Sequence, residues 1–305
     1  MAAFTTFSKE TLERHLKMFR KGKLTYHSPI AEGIDNSNYF IELEKDGEVS
    51  DFVLTILESH NFSETTFFAK LLSHLHHYGL PVPEPQPTLD GMTYTIFCGK
   101  PSLLVTKLSG RHIRIASVKE CHSIGQFLAA QHKAMNELKS GKPNFYSVEW
   151  MNSTVLDLGA RLSKEDRHVL NETIEIYGHV LSEDLPTGII HGDLFKDNAL
   201  FDAGTLTGVI DYYRACEDLL AIDIAIAIND WCREEQEFDE SKRDAMISGY
   251  NAIRPLSEPE LRHLVDLQQV SAARFALTRM LSGIPPLKDP EEMLILVRSF
   301  DEIKR

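Results

Sequence analysis

Apolar side chains in the first hundred residues recur at two different spacings. Leu12, Leu16 and Phe19 fall on one helical face behind Ser8, a residue able to cap a helix N-terminus. Residues 37–43 and 51–57 read instead as strands, joined across the turn-like Lys45-Asp46-Gly47. Residues 63–78 predict a helix with Phe67, Leu71, Leu72 and Leu75 inward, ended by Gly79. Pro81, Pro83 and Pro85 then forbid both helix and central strand, so residues 80–85 are expected to form an extended connector. A second hairpin is expected after it, with Asp90-Gly91 as its turn and residues 103–108 as its last strand.

Beyond Ser109-Gly110 the period changes. Residues 117–138, 161–181, 218–232, 239–250 and 258–281 carry helical patterns, and the only strand signals are short, at 199–201 and 207–210. A β-rich segment 1–108 followed by a mainly helical segment 109–305 predicts an α+β protein of two lobes, with a hinge near 105–110. The acidic run 234–240 reads as a solvated connection between helices.

The chain has 305 residues, 43% of them apolar and 25% charged, enough for a full buried core. Its net charge of −13 argues against a general affinity for nucleic acid or anionic membrane, while a single nucleotide escorted by a divalent cation remains compatible. The N-terminal residues offer no apolar core for a secretory signal, and the most apolar stretch, 219–228, is short and broken by Asp223. Cys98, Cys121, Cys216 and Cys232 show no paired spacing, which suits reduced thiols in a cytoplasmic protein.

The chemistry concentrates in His191-Gly192-Asp193-Leu194-Phe195-Lys196-Asp197-Asn198 and Gly208-Val209-Ile210-Asp211. An aspartate, an asparagine five residues on and a second aspartate thirteen beyond that have the order of the catalytic loop and metal aspartate of kinase-fold phosphotransferases. In that pattern Asp193 accepts the proton of the acceptor hydroxyl, while Asn198 and Asp211 hold the Mg2+ that arrives with ATP. The bland alternative is three polar residues in turns. His191 reads as a brace for the loop, with a histidine base as the rival. Lys196 could reach the γ-phosphate or be an ordinary surface lysine, and Asp197 shapes the loop. Asp223 sits in an otherwise apolar helix, and a buried carboxylate needs donors; the catalytic-loop amides are candidates, which makes it structural support. Neither a GxxxxGK[ST] nor a GxGxxG motif occurs. The phosphate cover is therefore expected in residues 32–38, from Gly33, Asn36, Ser37 and Asn38. His74, His76 and His77 share a helix without the partners a zinc site needs.

Five segments, 33–40, 52–58, 80–85, 191–202 and 208–232, together resemble the homoserine kinases built on the aminoglycoside-phosphotransferase fold, a bilobal protein-kinase-like architecture. The resemblance implies transfer of the ATP γ-phosphate to the side-chain hydroxyl of L-homoserine, on the route to threonine. It implies Asp193 as base, Asn198 and Asp211 as magnesium ligands, and adenine contacts at Thr106, Lys107 and Leu108. Thr55 stands where kinase-fold strands usually carry a phosphate-binding lysine, leaving Lys196, Lys107 and the metal to neutralise the phosphates. A zwitterionic acceptor needs a cation for its carboxylate and an acid for its ammonium. Arg214, with Tyr212 and Tyr213, is a candidate for the first, Asp35 or Asp230 for the second; Arg214 could equally pair with Glu217 or Asp218. Another amino alcohol or an aminoglycoside as acceptor, or a non-catalytic kinase-fold module, are the rival readings. A monomer or a homodimer fits the chain equally.

Overall fold

The computed structural model describes residues 5–31, 35–138, 142–234, 237–282 and 289–304. They form two compact units, one of Met1–Arg111 with Leu200–Asp202 and Thr207–Tyr213, the other of the remaining chain.

The first unit holds α1 (Lys9–Leu16), β1 (Lys23–Pro29), β2 (Ser37–Lys45), β3 (Glu48–Ile56), α2 (Phe62–His77), β4 (Thr95–Phe97) and β5 (Lys100–Thr106). The strands make one antiparallel sheet in the order β1-β2-β3-β5-β4. Burial alternates along β2, so one sheet face packs Tyr39, Ile41 and Leu43 against Leu12, Leu16 and Phe19 beside α1. The other face buries Leu103 and Val105 against Phe68 and Ala69 of α2. Ser8 accepts from the Thr11 amide, and Asn61 with Glu64 forms a reciprocal capping box that starts α2.

Three local expectations change. The hairpin turn lies at Cys98-Gly99, both left-handed at φ 50° and 79°, as a two-residue loop between twisted strands demands. Asp90-Gly91 only closes a small turn, the Gly91 amide donating to Thr88 O at 3.0 Å. Phe68 rather than Phe67 is the fully buried phenylalanine of α2. The mostly exposed edge strand β1 lacks the apolar alternation that would have announced it.

The second unit comprises α3 (Val118–Met135), α4 (Val148–Leu158), α5 (Lys164–Leu181), β6 (Thr187–Ile190), then, after the two-stranded ribbon β7 (Ala199–Asp202) and β8 (Thr205–Val209), β9 (Cys216–Leu219), α6 (Leu220–Trp231), the short pair β10 (Arg233–Glu234) and β11 (Glu237–Phe238), α7 (Glu240–Asn251), α8 (Glu258–Arg262), α9 (Leu264–Leu281) and α10 (Pro290–Lys304). Its core runs along α6, where every residue but Asp230 is buried, and along α9, buried through eleven positions. The expected helix 218–232 opens as a strand, because β9 pairs with β6 through Cys216–Leu219 before α6 begins. The expected helix 258–281 breaks at His263 into α8 and α9. Part of the ribbon belongs to the first unit: Arg111 bridges Phe201, Val209 N donates to Pro81 O at 2.8 Å, and Tyr213 packs edge-on against Phe68. The segment that carries Asp211 is thereby fixed to the sheet-bearing unit. Among the described residues no helix is long and apolar enough to cross a membrane.

Candidate active site

β6 delivers the chain to His191, which is fully buried, and to Gly192, whose φ of +74° turns the backbone. A side chain at Gly192 would press on the Arg214 carbonyl, 3.1 Å from an ideal Cβ. The turn exposes two amides, and the first turn of α6 meets them with Asp223. His191 N donates to Asp223 Oδ2 and Gly192 N to Oδ1, each at 2.7 Å. His132 Nε2 and Gln131 Nε2 approach the same carboxylate at 2.9 and 3.2 Å. Burial alone would raise the Asp223 pKa, but hydrogen bonds from His132 and Gly192 and the nearby imidazoles outweigh it and hold the group below the usual carboxylate range. A buried anion thus anchors the loop.

The loop is closed further by its own atoms. Asp193 N donates to His191 Nδ1 at 3.2 Å, so this ring nitrogen is the acceptor and the imidazole carries its proton on Nε2. The Asp193 carbonyl accepts Phe195 N at 2.9 Å and Asn198 Nδ2 at 2.8 Å. With the amide nitrogen so engaged, the Asn198 Oδ1 faces the other way as an acceptor. Trp231 Nε1 holds Leu194 O at 3.0 Å, and Arg274 of α9 donates to Gly192 O at 2.5 Å. Asp193 itself stays half-buried, its carboxylate reached by the field of Arg274.

Lys196 and Asp230 meet each other. The Lys196 amide donates to Asp230 Oδ2 and its Nζ to Asp230 O, both at 2.7 Å. Asp230 is therefore occupied in holding the loop to the end of α6, which leaves it poorly suited to an ammonium.

The sheet-bearing unit gathers a second set. Asn36 and Ser37 are buried. Ser37 Oγ donates to Glu58 at 2.5 Å, Asn36 Oδ1 accepts Glu58 N at 3.3 Å, and Lys100 pairs with the same carboxylate. Asn38 Oδ1 accepts Thr55 Oγ1 at 2.7 Å, and Tyr213 also bonds Thr55. The place expected of a strand lysine is thus filled by a polar cluster of Asn38, Thr55 and Tyr213. The side chains of Asn36, Ser37 and Asn38, expected among the phosphate contacts, bond within the sheet-bearing unit to Glu58 and Thr55. Gly33 lies outside the described residues. Thr106 makes a reciprocal pair with Glu84, Lys107 an ion pair with Asp51 at 2.9 Å, and Leu108 packs over Gly208. Asp35 is exposed, and Asp211 is exposed with a left-handed φ of 64°, rare for an aspartate. Tyr212, expected to touch the acceptor, is 1% exposed and serves the core.

One group escaped the sequence reading: Arg274, with Asn144, Tyr146 and Asp218, around a cavity below the loop. The signal for Arg274 was the same as for Asp223, a charge inside an apolar helix, here Ala272-Ala273-Arg274-Phe275-Ala276.

A family model described as "Phosphotransferase enzyme family" matches residues 27–256. A homoserine kinase of Methylobacillus flagellatus is 37% identical over 281 residues, 92% of this chain and 87% of that protein. A homoserine kinase of Agrobacterium fabrum is 35% identical over 312 residues, covering 98% and 95%. Among solved structures, the amicoumacin kinase hAmiN in complex with AMP-PNP, Ca2+ and Ami superposes with a TM-score of 0.75 at 16% identity, over 98% of this chain and 93% of that one. That likeness establishes the kinase-like fold.

Proposed function

The chain belongs to the phosphotransferase enzyme family and, within it, to the homoserine kinases, and from that premise we propose that it transfers the γ-phosphate of ATP to the side-chain hydroxyl of L-homoserine, releasing ADP and O-phospho-L-homoserine. The observation that carries the choice of acceptor is the near-full-length identity to homoserine kinases. The reaction type draws support from the loop itself, whose backbone is fixed so that Asp193 is presented rigidly.

In this reading the Asp193 carboxylate accepts the hydroxyl proton as the oxygen attacks the γ-phosphorus and the bond to the β-phosphate bridging oxygen breaks. Asn198 Oδ1 and the exposed Asp211 carboxylate are oxygen donors, the type magnesium prefers. Among the described residues no group of three or more His, Cys, Asp or Glu is poised for a metal. Two protein ligands suit an ion whose other positions are filled by nucleotide phosphates and water. Such an ion, when bound, neutralises phosphate charge. Residues 1–108 are assigned to cover the nucleotide, with Thr106, Lys107 and Leu108 against adenine, and 109–305 to the acceptor. Cytoplasmic residence fits the free thiols of Cys121, Cys216 and Cys232.

The test is an ATP-coupled assay across L-homoserine, L-threonine, choline, ethanolamine and kanamycin. Homoserine is expected to give the highest kcat/KM. Turnover of another alcohol with none of homoserine would overturn the assignment.

A further inference from the structure

Within the helical unit a cavity lies against the catalytic loop, lined by Gly192, Tyr146, Arg214, Asp218, Ser271 and Arg274 among others. Arg274 is 8% exposed, and its Nε is buried without a hydrogen-bond partner. Its guanidinium is stacked 4.2 Å from the Tyr146 ring centroid and 4.3 Å from that of Phe275. Arg214 lies over the same Tyr146 ring at 5.6 Å. Two cations are therefore gathered on one aromatic ring in a protein whose net charge is −13.

The one carboxylate in that lining, Asp218, is already held by Asn144 Nδ2 at 2.6 Å and Leu219 N at 2.7 Å, and burial raises its pKa. An orphaned, buried guanidinium N–H costs about 1–3 kcal/mol, and this one belongs to a side chain that lines the cavity. A carboxylate matches the planar fork of arginine, each oxygen accepting one N–H. The hydrogen bond from Arg274 to Gly192 O sets the guanidinium one residue away from Asp193.

We propose that Arg274, assisted by Arg214, binds the α-carboxylate of the acceptor amino acid and so selects amino-acid alcohols over simple amino alcohols. The hydroxyl end of the acceptor then points along the loop to Asp193. This rests on the homoserine reading above.

The experiment compares kcat/KM for L-homoserine and for 3-aminopropan-1-ol, the same molecule without its carboxylate, in wild type, Arg274→Met and Arg274→Lys. Wild type is expected to prefer homoserine by about a hundredfold or more, the worth of charge-assisted hydrogen bonds. Arg274→Met is expected to lose most of that preference through the KM for homoserine, with the KM for ATP unchanged. Arg274→Lys, which keeps the charge if the Met variant does not fold, is expected to lose about tenfold of it, because its point charge cannot grip both oxygens. If either folded variant weakens both acceptors by the same factor, Arg274 only braces Gly192 and the proposal is overturned. Wild type that turns over other alcohols but not homoserine would refute the functional reading itself, a result distinct from an unchanged ratio.

Discussion

At the scale of single residues, Asp223 and Asp193 illustrate two uses of a carboxylate. Asp223 is wholly buried and committed to loop amides and to His132, so its charge is structural. Replacing it with asparagine puts an amide N–H against a backbone N–H. We expect Asp223→Asn to lose about 3 kcal/mol in urea unfolding, within the range for breaking a buried charged network. Turnover should fall with it, and unchanged stability would show that the loop needs no such anchor. Asp193→Asn removes the proposed proton acceptor while keeping shape; turnover should fall by several orders of magnitude with ATP affinity largely kept, as read by steady-state kinetics and calorimetry. Asp211→Ala should abolish magnesium-dependent nucleotide binding, and retained binding would remove Asp211 from the metal site. The motif spacing that proposes Asp193, Asn198 and Asp211 was legible in the sequence because it has the order seen in kinase-fold phosphotransferases. Arg274 was not legible, because its neighbours in the cavity come from distant segments and no spacing links them.

At the scale of elements, helix ends and strand pairs were readable wherever local chemistry specifies them. Ser8 accepts a hydrogen bond as a cap, and Lys45-Asp46-Gly47 leads from β2 to β3. The edge strand β1 and the strands β6 and β9 were not, since their residues lack a period of two and are defined by their partners. Close helix approach is likewise a matter of tertiary fit. Gly125 of α3 and Gly249 of α7 face each other's helices so tightly that an added Cβ would lie 2.0 Å from Met246 O and 2.2 Å from His122 O. Gly125→Ala and Gly249→Ala should therefore each destabilise the protein by about 2–3 kcal/mol, despite the better helix propensity of alanine. Guanidinium unfolding midpoints check this, and an increase in stability would show that the helices can separate at little cost.

For the whole molecule, pH is the informative variable. Burial holds His15 to a pKa of about 4, against 6.5 for a free imidazole. Above pH 6.5 the folded and unfolded forms bind equal protons at this site. Below it the unfolded chain takes up a proton that the folded one refuses until about pH 4, so stability should fall by roughly 3 kcal/mol across that window. His15→Phe, placed among Phe19 and Phe97, should flatten the decline in melting temperature between pH 6.5 and 4. An unaltered profile would assign the acid sensitivity elsewhere. Asp223 adds to the same trend at still lower pH: once the pH falls below the usual carboxylate range the unfolded chain takes up a proton that the folded Asp223 resists, and the loss is complete when the folded group is protonated.

The chain by itself determined the order of β-rich and helical segments and singled out residues 191–198 as the candidate loop, because periodicity, capping and motif spacing are local properties written in consecutive residues. Tertiary structure alone decided that Asp230 serves Lys196, that Ser37 serves Glu58, and that Arg274 comes to rest beside Gly192. Those pairings depend on which distant segments share a buried space, and desolvation there forces each polar atom to find whatever partner the fold supplies.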